Sequence, residues 1–207
     1  FTGLQRAGGY VVDMEYITID TPGNATDFGD LTVAKGTASG VSGSAGGGGG
    51  GGGGGSSQWW GTRGMAVGGQ QPSNSNIMQY FDITSTGNAQ DFGDMTIKQY
   101  ANAACSNSIR AVSAGGNDYP NKLSSMEFVT IATKGNSTSF GSIAATTNYP
   151  AAASSPTRGV IAGGNTPTHL DTIQYISFAT EGDAVDFGDL TQARNQLGGL
   201  SNANGGL

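Results

Sequence analysis

The stretch Thr26-Asp27-Phe28-Gly29-Asp30-Leu31-Thr32 decides how this chain is read, because versions of it return three more times. The later versions are centred on Asp91-Phe92-Gly93-Asp94, Ser139-Phe140-Gly141-Ser142 and Asp186-Phe187-Gly188-Asp189. A glycine pair recurs in step, at Gly8-Gly9, Gly68-Gly69, Gly115-Gly116 and Gly163-Gly164, with spacings of 60, 47 and 48 residues. The long step contains an uninterrupted run of ten glycines at residues 46–55. Regular spacing of this size predicts an array of similar supersecondary units.

Each unit shows a pattern of short strands. A short apolar strand precedes the glycine pair, and a stronger strand is predicted at residues 14–19, 78–83, 126–131 and 173–178. Apolar residues at both odd and even positions of the stronger strand predict burial on both faces. A Gly-Asn or Gly-Asp turn follows, and a further short strand is expected after the motif, at residues 31–33, 95–97 and 190–191. No sustained helical periodicity with caps is present, so the chain is expected to be all-β.

The repeat sets the expected domain organisation. We expect a single repeat domain over residues 1–207, with units at about 1–62, 63–109, 110–157 and 158–207 and the glycine run inserted in the first. Units of about 48 residues with three or four strands have the size of a β-propeller blade, and a β-solenoid-like stack is the alternative. The chain begins and ends near the same point of the repeat, as expected for a ring whose ends meet or for a window on a longer array. Because it starts at Phe1, we expect a processed product or a piece of a longer protein.

The glycine pair after a short apolar strand, followed by a second strong strand, resembles Kelch-type β-propeller repeats. The fuller unit, residues 16–32, is similar to repeats in structural, tail-associated and fibre-like proteins of tailed phages from marine hosts. No tryptophan recurs at a fixed place, which departs from the Kelch pattern. The resemblance implies a virion location, with other virion proteins or copies of the chain itself as partners. A host-surface glycan is a further partner that it implies.

Composition excludes several classes of function. The chain has 9 Lys+Arg against 15 Asp+Glu, so the clustered basic residues of a nucleic-acid-binding surface are lacking. No apolar stretch reaches the roughly 18 residues of a membrane span, so membrane insertion is not expected. Cys105 is alone and predicts a small packed side chain, and His169, the single histidine, is interpreted as a loop residue. We therefore expect no metal and no cofactor.

The motif residues are interpreted as structural. An Asp-Phe-Gly motif also occurs in kinases, but fourfold repetition argues against a single phosphate site. Calcium binding by the paired carboxylates stays a minority alternative, because the third copy has Ser139 and Ser142. The phenylalanines are expected to be wedged between units, and the carboxylates to accept backbone N–H bonds. The structural motif comprises Asp27, Phe28, Gly29, Asp30, Asp91, Phe92, Gly93, Asp94, Phe140, Gly141, Asp186, Phe187, Gly188 and Asp189.

Two features lie outside the repeat. Trp59 and Trp60 are adjacent, and they are candidates for contact with a partner chain or a glycan, with core packing equally open. The glycine run is predicted to be either a flexible insertion or an extended segment packed against another chain. A recurring arginine, Arg63, Arg110 and Arg158, is expected to pair with motif carboxylates across unit boundaries.

Three functions follow from these observations as hypotheses. The first is a non-enzymatic structural and interaction protein on a virion surface, tail or fibre, used in assembly or host attachment. The second is a carbohydrate-binding propeller, secreted or on a cell surface. The third is a polysaccharide-active hydrolase, which would gather carboxylates at one mouth of a ring instead of repeating them in equivalent positions.

Overall fold

The computed structural model describes residues 5–6, 9–18, 20–42, 62–71 and 73–201. These residues form strands and connections without any helix, so the predicted all-β class is confirmed, and none of them could span a membrane as a helix. The strands are β1 (Gln5–Arg6), β2 (Gly9–Tyr10), β3 (Asp13–Tyr16), β4 (Thr26–Asp30), β5 (Ser39–Ser42), β6 (Arg63–Val67), β7 (Gln70–Gln71), β8 (Ser73–Asn74), β9 (Ile77–Asp82), β10 (Gln90–Asp94), β11 (Ala103–Ser106), β12 (Arg110–Ala114), β13 (Asn117–Asp118), β14 (Asn121–Lys122), β15 (Ser125–Thr130), β16 (Thr138–Ser142), β17 (Ala151–Ser154), β18 (Arg158–Ala162), β19 (Thr172–Ser177) and β20 (Val185–Asp189).

Three four-stranded antiparallel sheets carry the described fold. Each is a simple meander in which neighbours in sequence are neighbours in the sheet: β5-β6-β9-β10, β11-β12-β15-β16 and β17-β18-β19-β20. Strands β3 and β4 form a two-stranded sheet in the same register as the last two strands of each meander. The remaining pairs, β1-β2, β7-β8 and β13-β14, are short two-stranded ribbons, the last two lying in the connections between second and third strands.

The sheets are out of phase with the repeat units of the sequence by one strand. Each sheet takes its first strand, β5, β11 or β17, from the end of the preceding unit and its other three strands from the following unit. Every sheet is therefore built from two units, which links successive units through a shared hydrogen-bonded ladder.

The predicted strands need two corrections. The stronger strands begin one residue earlier than predicted and end one to three residues earlier, at Asp13–Tyr16, Ile77–Asp82, Ser125–Thr130 and Thr172–Ser177. The short strands predicted after the motif, at residues 31–33, 95–97 and 190–191, are wrong: residues 32–33, 96–97 and 191 are bends, and the motif itself forms the outer strand. The motif pairs with the stronger strand directly, and Asp94 already pairs with the first residue of that strand, Ile77, so residues 96–97 lie beyond the ladder.

The first strands of neighbouring sheets lie close together. Strand β11 lies beside both β5 and β17, and it carries Ala103, Ala104 and Cys105, whose small side chains allow this approach. The apolar core fills the space between adjacent sheets: Met65, Met78, Phe92, Val129 and Ile131 form one cluster, and Val112, Met126, Phe140, Ile161 and Ile176 form the next. The first cluster thus lies between the sheet of β5-β6-β9-β10 and the sheet of β11-β12-β15-β16, and the second lies between that sheet and the sheet of β17-β18-β19-β20.

Candidate functional site

The repeated motif forms a β-bulge in every unit. Asp27 and Gly29 of β4 pair with two consecutive residues of β3, so Phe28 between them is the extra residue of the bulge. The same arrangement occurs around Phe92, Phe140 and Phe187 in β10, β16 and β20. The following glycines have φ values of 139–149°, a region that L side chains rarely adopt. The bulge turns the phenylalanine out of its own ladder and towards the next unit.

Each of the first three motifs binds the Gly-Asn or Gly-Asp turn of the following unit, and we call this contact the unit joint. In the first unit joint, Gly87 N–H donates to the carbonyl of Phe28 at 2.8 Å and Ala89 N–H to that of Asp30 at 2.7 Å. The Asn88 side-chain oxygen accepts the Asp30 N–H at 3.0 Å. The second and third unit joints repeat all three bonds, with Asn136 and Asp183 as the side-chain acceptors. The unit joint thus hydrogen-bonds the turn of the next unit to the free edge of the outer strands β4, β10 and β16.

The motif glycine is required by this close approach. A Cβ atom added at Gly29, Gly93 or Gly141 would lie 2.4, 2.4 or 2.2 Å from the carbonyl oxygen of the next turn's glycine. At Gly188 an added Cβ would meet nothing within 4 Å, because no described residue covers that edge. Glycine at the first three positions therefore reflects packing as well as conformation.

The phenylalanine burial follows the same rule. Phe92 and Phe140 are 2% and 3% exposed, which confirms the predicted burial, and Phe28 is half-buried. Phe187 is 57% exposed, so the prediction is wrong for the fourth copy. The reason is that the first three rings are covered by the next unit, whereas Phe187 has no described unit beyond it.

The motif carboxylates and the arginines do not pair as expected. The motif aspartates are exposed, and their carboxylates make no hydrogen bond within the described part of the chain. Arg63 stacks over Tyr80 and donates to the carbonyl of Ile131 in the next unit at 2.7 Å, and Arg110 donates to that of Phe178 at 2.9 Å. The arginines therefore cross the unit boundary to backbone carbonyls, whereas the motif carboxylates face solvent.

A buried polar side chain on the third strand completes the contact between units, and the sequence analysis missed it. Gln79 accepts the Thr32 N–H at 2.7 Å, Glu127 accepts the Thr96 N–H at 2.9 Å, and Gln174 accepts the Ala144 N–H at 2.8 Å. All three acceptors are buried. The available signal was a Gln or Glu at the second position of every predicted strong strand, starting with Glu15.

Tyrosine and amide side chains lie near the ends of the second strands of two sheets, β12 and β18. Asn117 donates to the Tyr100 hydroxyl, and Lys122 Nζ donates to the Asn165 carbonyl at 2.8 Å. Burial, and then the proximity of Tyr100 and Tyr10, raise the pKa of Tyr149. Tyr10 lies against Gly36, whose neighbour Thr37 accepts the Ala101 N–H at 3.3 Å, and Ala101 accepts the Tyr149 N–H at 2.7 Å. Tyr10, Tyr100 and Tyr149 thus come from three units to the same part of the fold, where tyrosine rings and amide groups can stack on and hydrogen-bond a sugar.

The remaining predicted residues are placed as follows. Trp59, Trp60 and the glycine run at 46–55 lie outside the described residues, although the flanking strands β5 and β6 pair as β11 and β12 do. Cys105 is buried against Gly159, which confirms its packing role, and burial raises the pKa of its thiol to about 12. His169 is an exposed loop residue.

Among the described residues no group of three or more His, Cys, Asp or Glu side chains is placed to hold a metal ion. No protein-family model matches the chain, and no curated protein sequence matches it significantly.

Proposed function

We propose that this chain is a non-enzymatic structural and interaction protein, built as a β-propeller-like array and used in assembly or host attachment on a virion surface, tail or fibre. The observation that carries the proposal is the unit joint. Its three hydrogen bonds recur at Gly87, Gly135 and Gly182 with lengths of 2.7–3.0 Å. The most strongly repeated residues of the sequence thus serve to join units.

The propeller-like arrangement is supported by how the sheets meet. Contacts between sheets are concentrated at the first strands, β5, β11 and β17, as in a radial array. Just before the first strands, equivalent residues are linked in series: Ala101 N–H donates to Thr37, Tyr149 to Ala101 and Gln196 to Tyr149, at 2.7–3.3 Å. A series of this kind around one axis favours a radial arrangement over a solenoid-like stack.

The virion assignment rests on the resemblance of the repeat to phage tail-associated proteins, and immunolabelling tests it. Antibodies raised against the recombinant chain should label particles from the source of the gene at a fixed place on tail or surface. Label that stays with soluble material after particle purification would contradict the assignment. Release of reducing sugar from host polysaccharides by the chain would contradict the non-enzymatic part.

Carbohydrate binding is a second candidate, favoured by the group of Tyr10, Tyr100 and Tyr149. Aromatic rings beside amide groups are suited to sugar faces and hydroxyls. A glycan array with the wild-type chain and a Tyr100→Ala variant tests this candidate. Binding that the variant loses supports it; the absence of binding on an array of host-surface glycans argues against it.

A further inference from the structure

The fourth unit presents an outer edge that has the residues of a unit joint but is covered by no described residue. Phe187 and Val185 are 57% and 53% exposed, and an added Cβ at Gly188 meets nothing. A cavity of about 370 Å³ opens on the same unit, lined by Val160, Ala162 and Leu190 and by Leu197 and Leu200 among others. Val112 and Ala114, at the equivalent positions of the preceding sheet, are 1% exposed because the next unit covers them.

The first unit presents the complementary half. Its Gly23-Asn24 turn is exposed, with nothing within 4 Å of an added Cβ at Gly23. Ile17 is 50% exposed, whereas Val129 and Ile176, at the equivalent positions, are 6% and 2% exposed. Those two residues pack in the same clusters as Phe92 and Phe140 of the preceding unit. Ile17 is therefore the residue that would cover a motif phenylalanine.

The polar residues of the two halves also match. Where the motif ends in aspartate, at Asp30 and Asp94, the acceptor in the next turn is the neutral side chain of Asn88 or Asn136. Where it ends in Ser142, the acceptor is the charged side chain of Asp183. The internal unit joints thus never bring two carboxylates together, which would cost free energy by like-charge repulsion. The uncovered motif of the fourth unit ends in Asp189, and the uncovered turn of the first unit carries Asn24. This is the same combination of aspartate and asparagine as in the first two unit joints.

Arg158 gives an independent indication. Arg63 and Arg110 each donate to a carbonyl of the following unit. The Arg158 guanidinium lies over Tyr175, 4.8 Å from the ring centroid, and makes no hydrogen bond within the described residues. It is positioned for the carbonyl that a further unit would bring.

We propose that the edge at Phe187 to Asp189 binds the Gly23-Asn24 turn of a second copy of this chain, so that copies associate head to tail through a fourth unit joint. The occupant follows from the three internal unit joints, in which only such a turn covers such an edge. In the described structure the two halves do not meet within one copy, since Phe187 and Ile17 are both exposed. This inference rests on the proposed function only in taking the chain as an assembly module.

Sedimentation velocity over a wide range of protein concentration tests the proposal. The wild-type chain should form larger species as concentration increases, because a head-to-tail contact is not self-limiting. Phe187→Glu and Ile17→Glu should each weaken association at least tenfold, and Tyr119→Glu, which changes a 79% exposed tyrosine on another loop, should not. An equimolar mixture of Phe187→Glu and Ile17→Glu retains one intact unit joint per pair and should form a 1:1 dimer and nothing longer. Circular dichroism checks that each variant is folded.

A charge exchange supplies a test that does not depend on apolar surface. Asn24→Asp places a carboxylate against Asp189 and should weaken association several-fold, and adding Asp189→Ser should restore it by recreating the Ser142 and Asp183 combination. A wild-type chain that stays monomeric, a mixture that forms no dimer, or a double variant without rescue would overturn the proposal. Immunolabelling of particles is unaffected by any of these results, so the proposed function is judged separately.

Discussion

Truncating the motif phenylalanine should destabilise the protein strongly in the third unit and weakly in the fourth. Phe140→Ala and Phe187→Ala form a matched pair, because each ring packs edge-on against an aromatic ring of its own third strand. The centroid separations are 5.7 Å for Phe128 and Phe140 and 6.1 Å for Tyr175 and Phe187. The two rings differ in exposure, at 3% and 57%, because only Phe140 is covered by a following unit.

The expected magnitude follows from this difference. A buried phenylalanine truncated to alanine costs about 3–5 kcal/mol, including the cavity that remains. The edge-on aromatic pair, which both variants lose, accounts for about 0.5–1.5 kcal/mol. We therefore expect Phe140→Ala to lower the free energy of unfolding by roughly 2–4 kcal/mol more than Phe187→Ala. For a chain of this size, that difference corresponds to a gap of roughly 5–15 °C in melting temperature.

Urea unfolding followed by near-ultraviolet circular dichroism measures the effect. The experiment should be done at a dilution at which sedimentation shows single copies, because association would cover Phe187. Equal losses of stability in the two variants, or a larger loss for Phe187→Ala, would refute the view that the motif packs between units rather than within one.

Three further predictions concern single buried groups. Burial lowers the pKa of Lys35 from 10.5 to about 8, and the nearby Asp94 carboxylate partly offsets this shift. The folded state therefore disfavours the charged form of Lys35. The free energy of unfolding should increase by up to about 3 kcal/mol as the pH rises from 8 towards 10.5. Lys35→Gln, which copies the equivalent Gln99, should remove that increase in paired urea titrations at pH 7.5 and 10; the same slope in both proteins would contradict it. Cys105, with its pKa raised to about 12 by burial, should not react with a thiol reagent until the protein is unfolded, and rapid labelling of the native chain would show that it is accessible. Glu127→Gln should be tolerated because Gln79 and Gln174 fill the same place. Glu127→Leu removes the acceptor of the Thr96 N–H and of the Thr96 and Ser137 hydroxyls and should cost about 1–3 kcal/mol; equal urea midpoints for the two variants would contradict this role.

The sequence predicts the repeat and the stronger strands well, because both depend on local patterns, but the short strands that it predicts after the motif are wrong. Apolar residues at both odd and even positions identify the strands around Met78 and Met126 to within one residue at their starts, and the phenylalanine of the motif is correctly assigned to packing in the second and third units. These features depend on residues a few positions apart, so no knowledge of pairing is needed.

What depends on pairing could not be predicted. The bulge at Phe92 exists only because Asp91 and Gly93 pair with consecutive residues of β9, and the sequence of one strand does not contain that register. The arginine partners illustrate the same limit: opposite charges suggested carboxylates for Arg110, but the geometry places the carbonyl of Phe178 within reach. Glu181 lies farther away, at 3.8 Å, and half-exposed, where an ion pair contributes little.

The unit joint also explains which motif positions can vary. The phenylalanine fills the space between units and the glycine admits the next turn, so both occur in all four copies. The aspartates face solvent, and the unit joint uses only their backbone atoms. Serine can therefore replace them at residues 139 and 142, and the next turn changes from asparagine to aspartate in the same unit joint. Variation at exposed positions together with constancy at the contact is what a joining element requires, whereas a repeated metal or catalytic site would require the carboxylates themselves to be kept.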